Sequence, residues 1–348
     1  MERCRQKDLA EVLGVHVSTV SKALKGDLKV APGTRKRVRA LARKMGFRPD
    51  PMLSALSNYR KQAGPTGKQS TIAWIYNYAK GTDMSMYPDH GHYVEGARQR
   101  CEELGYRLDE FWADGRRLTI KSLPRILTAR GIRGVIFAPQ EGVGIKVDFP
   151  LDALCALTIG YSLVEPKMDI VTNDHFTTMT EILERVRSHG FKKIGCYLWK
   201  NDNERMGRRA RSAFSAFSRE YAATVKAYDQ FNPKTFRSWV NRGRFDAIVA
   251  RGREQGDLIS ELNTRQRNAI GFFGYAIESA ETQLSGMAHN NLQIGNQAAE
   301  WITRRLERGL LGSPPIAQRL LISGKWISNP PLADQSNRKS RKEGIACR

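Results

Sequence analysis

The stretch KDLAEVLGVHVSTVSKALKGDLKVAPGTRKRVRALARKMGFRPD, residues 7–50, decides how the rest of the chain is read. Its apolar residues recur at helical spacing in three short runs: Leu9, Ala10, Val12 and Leu13, then Val17, Val20 and Leu24, then Val38, Leu41, Ala42 and Met45. Gly14 stands between the first two runs, where a tight turn needs a conformationally permissive residue. Gly26 and Gly46 close the second and third runs, as glycines do at helix C-termini. Two helices joined by a tight turn and followed by a basic third helix have helix-turn-helix geometry.

The charge distribution agrees. The 348-residue chain carries 57 Lys and Arg against 35 Asp and Glu, a net +22. Such an excess favours a polyanionic partner, either nucleic acid or an anionic membrane surface. Residues 1–62 hold 15 of the basic residues and only 5 of the acidic ones, so the partner is met mainly at the N-terminus. The last twelve residues, NRKSRKEGIACR, are basic without apolar pattern, and residues 331–348 read as a disordered basic tail.

Several function classes fall away. The five cysteines (Cys4, Cys101, Cys155, Cys196, Cys347) are scattered and form no CxxC pair, which argues against a disulfide framework or a zinc site. The N-terminus lacks the apolar run of a signal peptide, and no stretch reaches about 18 apolar residues, so a cytoplasmic protein without membrane contact is expected. No nucleophile elbow, P-loop, GxGxxG or metal-spaced His/Cys cluster appears, so neither an enzyme nor a cofactor or metal is expected. A solute-binding protein feeding a transporter would leave the N-terminal helices without a role.

After residue 50 the pattern changes. Pro49 and Pro51 bar helix before them, and Asp50 can cap a short helix over MLSALSNYRK, followed by a flexible AGPTGKQ. From Thr71 onward strands alternate with amphipathic helices. The strands are TIAWIY, YRLDEF, GVIFAP, CALTIG, DIVTN, KIGCYLW, TVKAYD, AIVA, AIGFFG and RLLIS. The helices include HYVEGARQRCEELG, TTMTEILERVRSHG, RMGRRARSAFSAFSREY and GNQAAEWITRRLERG. This alternation predicts parallel sheets covered on both faces, and about ten strands fit two doubly wound subdomains better than one. The expected organisation is a small all-α headpiece over 1–48, a hinge helix and linker over 49–69, a two-subdomain α/β core over 70–330 and the tail. Ligands of such a core bind at the carboxyl ends of the strands, between subdomains.

Residues 7–50 resemble the DNA-binding headpiece of the lactose-repressor (LacI/GalR) family of bacterial transcriptional regulators. The shared frame, D-x-A-x-x-x-G-V-x-x-x-T-V-S-[RK]-x-L-x-G, then V-x-x-x-T-R-x-[RK]-V, then G-[YF]-x-P, runs without a gap. The later segments YVEGARQRCEELGYRL, RGIRGVIFAP, IVTNDHFTTMTEILERVRSHGFKKIG and IGNQAAEWITRRL resemble the family's periplasmic-binding-protein-like core. The resemblance implies that Val17, Ser18 and Lys22 face base edges in the major groove with Ser21 close by. It implies that Thr19 and Thr34 hold phosphates, and that Lys29 reaches the groove edge. In the hinge, Leu56 falls at the leucine that wedges into the central base step, and Leu53 at a groove-facing position. A valine can touch a thymine methyl and a lysine can donate to guanine O6 or N7, which agrees with these roles.

The chain also departs from the family. Lys22 replaces the usual Arg and cannot make the bidentate fork, which softens guanine preference. His16 stands where a capping Ser or Thr is usual, leaving either a weaker cap or a phosphate contact. In the core, Ala276 occupies the family's ligand-binding Asp position, and Arg251-Gly252 its Asn-Asp. The family's hydroxyl-binding Arg has no clean match within RMGRRARSAF, where Arg208, Arg209 and Arg211 are candidates. Asn173-Asp174 and His289-Asn290 resemble the family's polar pairs. Tyr76, Asn77, Trp199 and Tyr275 lie at strand ends, where they can stack on a ring or fill the core.

A changed effector follows: Arg251 with Arg208 or Arg211 suits a carboxylate or phosphate, so a sugar, sugar acid or sugar phosphate is expected. The resemblance implies a nucleoid-associated homodimer that binds double-stranded operator DNA as a repressor under small-molecule control. The alternative is a DNA-binding regulator or architectural protein whose core no longer responds to a ligand.

Overall fold

The computed structural model describes residues 4–25, 29–47, 70–82, 90–116, 118–218, 220, 223–277 and 284–328. The chain divides into two compact units, Met1–Pro65 and Thr66–Arg348. Leu53 and Leu56, with the rest of the hinge at 49–69, lie outside the described residues, as does the tail at 331–348.

The first unit contains helices α1 (Gln6–Leu13), α2 (Val17–Lys25) and α3 (Pro32–Lys44). Gly14 takes φ 63° and lets the chain turn between α1 and α2. One cluster joins the three: Leu9 and Ala10 from α1, Val20 and Ala23 from α2, and Val38 and Ala42 from α3. Three stripe residues do not join it: Val12, Val17 and Met45 are exposed. Ala23 and Val30 take core places instead.

The second unit holds two six-stranded sheets. The first contains β1 (Thr71–Tyr76), β2 (Arg107–Trp112), β3 (Gly134–Phe137), β5 (Cys155–Ile159), β7 (Asp169–Asn173) and β13 (Arg319–Ile322). Its order is β13-β7-β5-β3-β1-β2 and every pair is parallel. The second contains β8 (Ile194–Trp199), β9 (Ala223–Tyr228), β10 (Ala247–Arg251), β11 (Gly271–Ile277), β12 (Ser285–Ala288) and β14 (Lys325–Ile327). Its order is β14-β12-β11-β10-β8-β9, parallel except for the β12–β14 pair. The small β4 (Ile145–Lys146) and β6 (Leu163–Glu165) pair apart from both sheets. Each large sheet is covered on both faces by separate apolar clusters, as buried parallel sheets require.

The chain passes between the sheets three times: after β7, after β12 and after β13. After the first passage it forms α6 (His175–Ser188), which packs on the second sheet. The second leads into α12 (Asn291–Glu307), which packs on the first sheet beside α4 (His90–Glu103). Helix α12 is held by a buried carboxylate. Asp169 accepts from Arg305 Nη1 at 2.9 Å, Trp301 Nε1 at 2.9 Å and the Gln318 amide at 2.9 Å. The helices between are α5 (Leu123–Ala129), α7 (Lys200–Arg205), α8 (Arg209–Phe217), α9 (Pro233–Gly243), α10 (Gln255–Ser260) and α11 (Thr264–Ala269).

Helices α4 and α12 meet backbone to backbone. A Cβ at Gly96 would lie 1.9 Å from the Leu292 carbonyl oxygen, and one at Gly295 would lie 1.9 Å from that of Tyr93. Neither partner is a side chain that can swing away. Gly295→Ala is therefore expected to destabilise the core by about 2 kcal/mol or more, overriding the helical preference for Ala. Gly256→Ala in α10 has nothing within 4 Å of its new methyl and is expected to be neutral or slightly stabilising. Urea unfolding of both variants checks this contrast; equal midpoints would refute it.

Candidate functional site

The headpiece presents α2 as a two-faced helix. Val20 and Ala23 are buried, while Val17, Ser18 and Lys22 are exposed and Thr19 and Ser21 half-buried. Positions 17 and 21, and 18 and 22, are four residues apart, so these side chains share one side of the helix. The first turn is capped by His16. Its Nδ1 accepts from the Ser18 amide at 3.2 Å and lies 2.8 Å from the Ser18 hydroxyl. Its carbonyl accepts from the Thr19 and Val20 amides at 2.8 and 3.2 Å. The imidazole thus does the work of the missing Ser or Thr. Lys29 is exposed and Thr34 half-buried at the start of α3. Helix α3 adds Arg35, Lys36, Arg37, Arg39, Arg43 and Lys44 without an acidic residue.

In the core, a cavity of about 90 Å³ opens between the two sheets at the carboxyl ends of their strands. From the first sheet's side come Thr172 and Asn173 at the end of β7 and Tyr161 after β5, with His90 and Tyr93 from α4. From the second come Asp202 and Arg205 on α7, Arg251 ending β10, and Ala276 in β11. His175 and His289 stand where the chain passes between sheets, their rings edge to face at 5.5 Å. Ala276 takes φ 50° at a register shift of β11, a strained conformation for a residue with a Cβ.

Arg251 is buried and donates to Asp202 at 3.1 Å, and Asp202 also accepts from the Tyr275 hydroxyl at 3.4 Å. Burial pushes the Asp202 carboxyl up, and Arg251 opposes that shift. Arg205 reaches the carbonyl oxygens of Gln140 (2.5 Å), Glu141 (3.3 Å) and Gly142 (3.3 Å). Among the described residues, Asn173 Oδ1 and the Tyr161 hydroxyl of the lining have no hydrogen-bond partner. The three imidazoles are held neutral. Burial, then Arg205 and Arg251, lower His90 to about 3, and burial, then Arg251, lower His289 to about 4. Burial, then His289 and Arg209, hold His175 well below the usual range. Among the described residues no group of three or more His, Cys, Asp or Glu is placed to hold a metal ion.

Of the core residues singled out in the sequence, the structure brings Asn173, Arg251, Ala276 and His289 to this cavity. The others sit elsewhere. Tyr76 stacks on Trp112 at 4.9 Å and donates to Glu110, Asn77 follows it outside the cavity, and Tyr275 is buried beneath Asp202. Trp199 donates to the Asp229 carbonyl and lines a separate pocket with Tyr228 and Phe231. Asp174 caps α6 by accepting from Thr177, and Asn290 donates to the Ser323 carbonyl. Arg208 is exposed and paired with Glu204 at 2.9 Å, and Arg211 is exposed on α8. The cavity's second arginine is Arg205 in their place. Gly207 and Arg208 both take positive φ, so the helix breaks there; Arg205, before the break, lines the cavity, while Arg208 and Arg211 are exposed. Sequence reading also passed over Tyr161 and two of the three histidines, His90 and His175; His175 follows Asn173-Asp174 directly, which is the one local signal for it.

These features define a class: a helix-turn-helix headpiece followed by a two-subdomain α/β core with a polar cleft. Residues 6–50 match the family described as "Bacterial regulatory proteins, lacI family". The match covers the headpiece, residues 6–50, and the headpiece is similar to those of that family. It is similar to the HTH-type transcriptional regulator GalR of Lacticaseibacillus casei, 26% identical over 58% of this chain and 55% of the relative. It is also similar to the HTH-type transcriptional regulator KdgR of Bacillus subtilis (strain 168), 24% identical over 55% of this chain and 53% of the relative. The matches thus span about half the length of these curated relatives. The fold is that of the transcriptional regulator CelR in its cellobiose complex, with TM-score 0.54, 16% identity and 93% and 98% of the two chains covered.

The buried imidazoles make the core's stability depend on pH. In the unfolded chain each titrates near its ordinary value, about 6.5, whereas the fold holds it lower. The unfolded state therefore binds more protons in this window. Stability is full above pH 6.5 and falls as pH drops toward 4, by up to about 1.4 kcal/mol per pH unit for each histidine. Urea unfolding between pH 7 and 4.5 should show this slope, and His289→Gln should flatten it. A variant with unchanged slope would refute the assignment.

Proposed function

We propose that this protein is a sequence-specific DNA-binding transcriptional regulator, acting as a repressor, whose operator affinity is set by a small polar molecule bound in the core cleft. The observation that carries the DNA-binding half is α2. It buries Val20 and Ala23 while Val17, an apolar side chain, stands exposed beside Ser18, Ser21 and Lys22. An exposed valine next to hydroxyls and a cation is poor for packing alone but suits base edges, where a thymine methyl and guanine acceptors are available. The basic α3, with Thr19 and Thr34, supplies phosphate contacts, which position the helix without specifying sequence, and Lys29 reaches the groove edge. The unmet hydrogen-bonding groups of the cleft support a ligand-responsive core over a ligand-blind architectural binder.

The protein acts as a homodimer on a roughly palindromic site, because two copies of one headpiece read two half-sites about one helical turn or a multiple apart. Its place is the cytoplasm, on the nucleoid. Genome-wide mapping of DNA bound by the tagged protein tests the reading. It should recover one palindromic sequence, whereas scattered occupancy without a shared motif would overturn it. Binding to that site should weaken steeply with salt, by about 10³-fold or more between 50 and 200 mM if six or more phosphates are held. Lys22→Arg should tighten binding to guanine-containing sites by about 1–3 kcal/mol, since Arg makes the bidentate contact. An unchanged site preference would reduce Lys22 to a phosphate contact.

A further inference from the structure

The cleft's chemistry narrows the ligand. Asn173 is 2% exposed, and its Nδ2 is spent on Asn291 Oδ1 at 3.2 Å, so Oδ1 is the atom with no partner. A buried carbonyl oxygen accepts only, so it asks for a hydroxyl or N–H donor from whatever enters. The Tyr161 hydroxyl, also unmet, offers a second polar contact on the same subdomain. Opposite them stand Arg251 and Arg205, and Arg209 lies over the Tyr161 ring at 3.9 Å. Among the described residues Asp202 is the one carboxylate in the lining, and it is tied to Arg251.

From these groups we infer, resting on the reading of the core as a ligand-responsive unit, that the cleft binds an anionic polyol. Such a molecule carries a carboxylate or phosphate beside hydroxyl groups, the anion on Arg251 and a hydroxyl on Asn173 Oδ1. The planar guanidinium matches either oxyanion by paired N–H···O bonds, and a dry site strengthens them. A cationic ligand would meet two arginines. The histidines around the site, on α4, on α6 and after β12, remain hydrogen-bonding groups rather than charges near neutral pH. They therefore leave the anion to the arginines. The cavity of about 90 Å³ is below the roughly 300–1,000 Å³ usual for small-molecule sites, which favours a short ligand.

The test is calorimetry on the full-length protein with matched probes: glycerate against glycerol, gluconate and glucuronate against glucose, and glucose 6-phosphate, with glucosamine as the cation. At least one anion should bind about tenfold or more tighter than its neutral parent, as charge-assisted bonds imply. Preference between the acids and the phosphate ester identifies which oxyanion the cleft takes. Replacing the buried pair together, Asp202→Asn with Arg251→Gln, avoids leaving one charge unpartnered, and a thermal melt shows whether the double variant folds. It should lose that anion preference, while Asn173→Ala, which keeps both charges, should weaken anion and neutral parent alike. Affinity for the carboxylate probes should stay level from pH 6 to 8, where neither they nor the imidazoles exchange a proton, whereas the phosphate ester itself titrates at about pH 6. Neutral or amino sugars binding as tightly as the anions, no anion binding at all, or anion preference surviving the double variant would overturn the inference. Operator binding measured on the same preparation separates the two readings: intact DNA binding without anion binding sinks only this one, and absent DNA binding sinks the regulator.

Discussion

The core depends on how three chain passages between its sheets are tied together. Each passage takes the backbone out of a ladder and leaves its N–H and C=O groups in need of partners away from water. The passages supply them to one another. Asn173 Nδ2 donates to Asn291 Oδ1 at 3.2 Å, the Asp174 amide to the Ile322 carbonyl at 2.8 Å, and Asn290 Nδ2 to the Ser323 carbonyl at 2.6 Å. Space is as tight as the bonding, since a Cβ at Gly324 would lie 2.9 Å from the Ala288 oxygen. No passage can shift without unpairing a group in another. The polar residues at these points are therefore structural first, and the cavity between the sheets is built on them.

That origin accounts for the electrostatics of the cleft. Helices α6 and α12 begin at two of the passages, so their positive N-terminal ends add to the charge of Arg205 and Arg251. His175 and His289, caught at the same passages, are surrounded by positive charge as well as burial, and they stay neutral for that reason. The backbone contact of α4 with α12 at Gly96 and Gly295 brings the N-terminal turns of both helices to the same place, which puts His90 and Tyr93 on the cavity wall. The site is thus assembled from the ends of elements whose middles hold the sheets together.

The headpiece was legible because its signal is contiguous: helical spacing, Gly14 and a gapless motif fall within 44 residues. Most strands were legible because they are buried on both faces and read as apolar runs. SGMA and KWI, which form β12 and β14, carry no such run; their ladders with β11 and with each other give them their conformation. In the cleft, Asn173 and Arg251 were legible as polar residues ending apolar strands. Tyr76 and Trp199 also end strands, but Tyr76 pairs in register with Trp112 on β2 at the sheet edge, and Trp199 turns to the loop after β9. Which strand end faces the other subdomain is a property of sheet order, and no local pattern carries it. Arg205 was hidden for a related reason, because only the positive φ at Gly207 and Arg208 separates it from Arg208 and Arg211, which are exposed.

Arg205 also gives the cleft a direction of action. It stands on α7, which follows a strand of the second sheet, yet it donates to carbonyls at 140–142, which follow β3 of the first. Separating the subdomains would break those bonds, so the side chain ties the two together as they stand. A ligand can bias such an equilibrium only by the difference between its contacts in the two arrangements. One that touched a single subdomain would bind open and closed forms alike and change nothing. Asn173 and Arg251 end strands of different sheets and line one cavity, so a molecule spanning them would hold both contacts only while the two subdomains face each other as they do here. Under the proposed function, the residues that select the ligand would also be those that couple its binding to the arrangement of the subdomains.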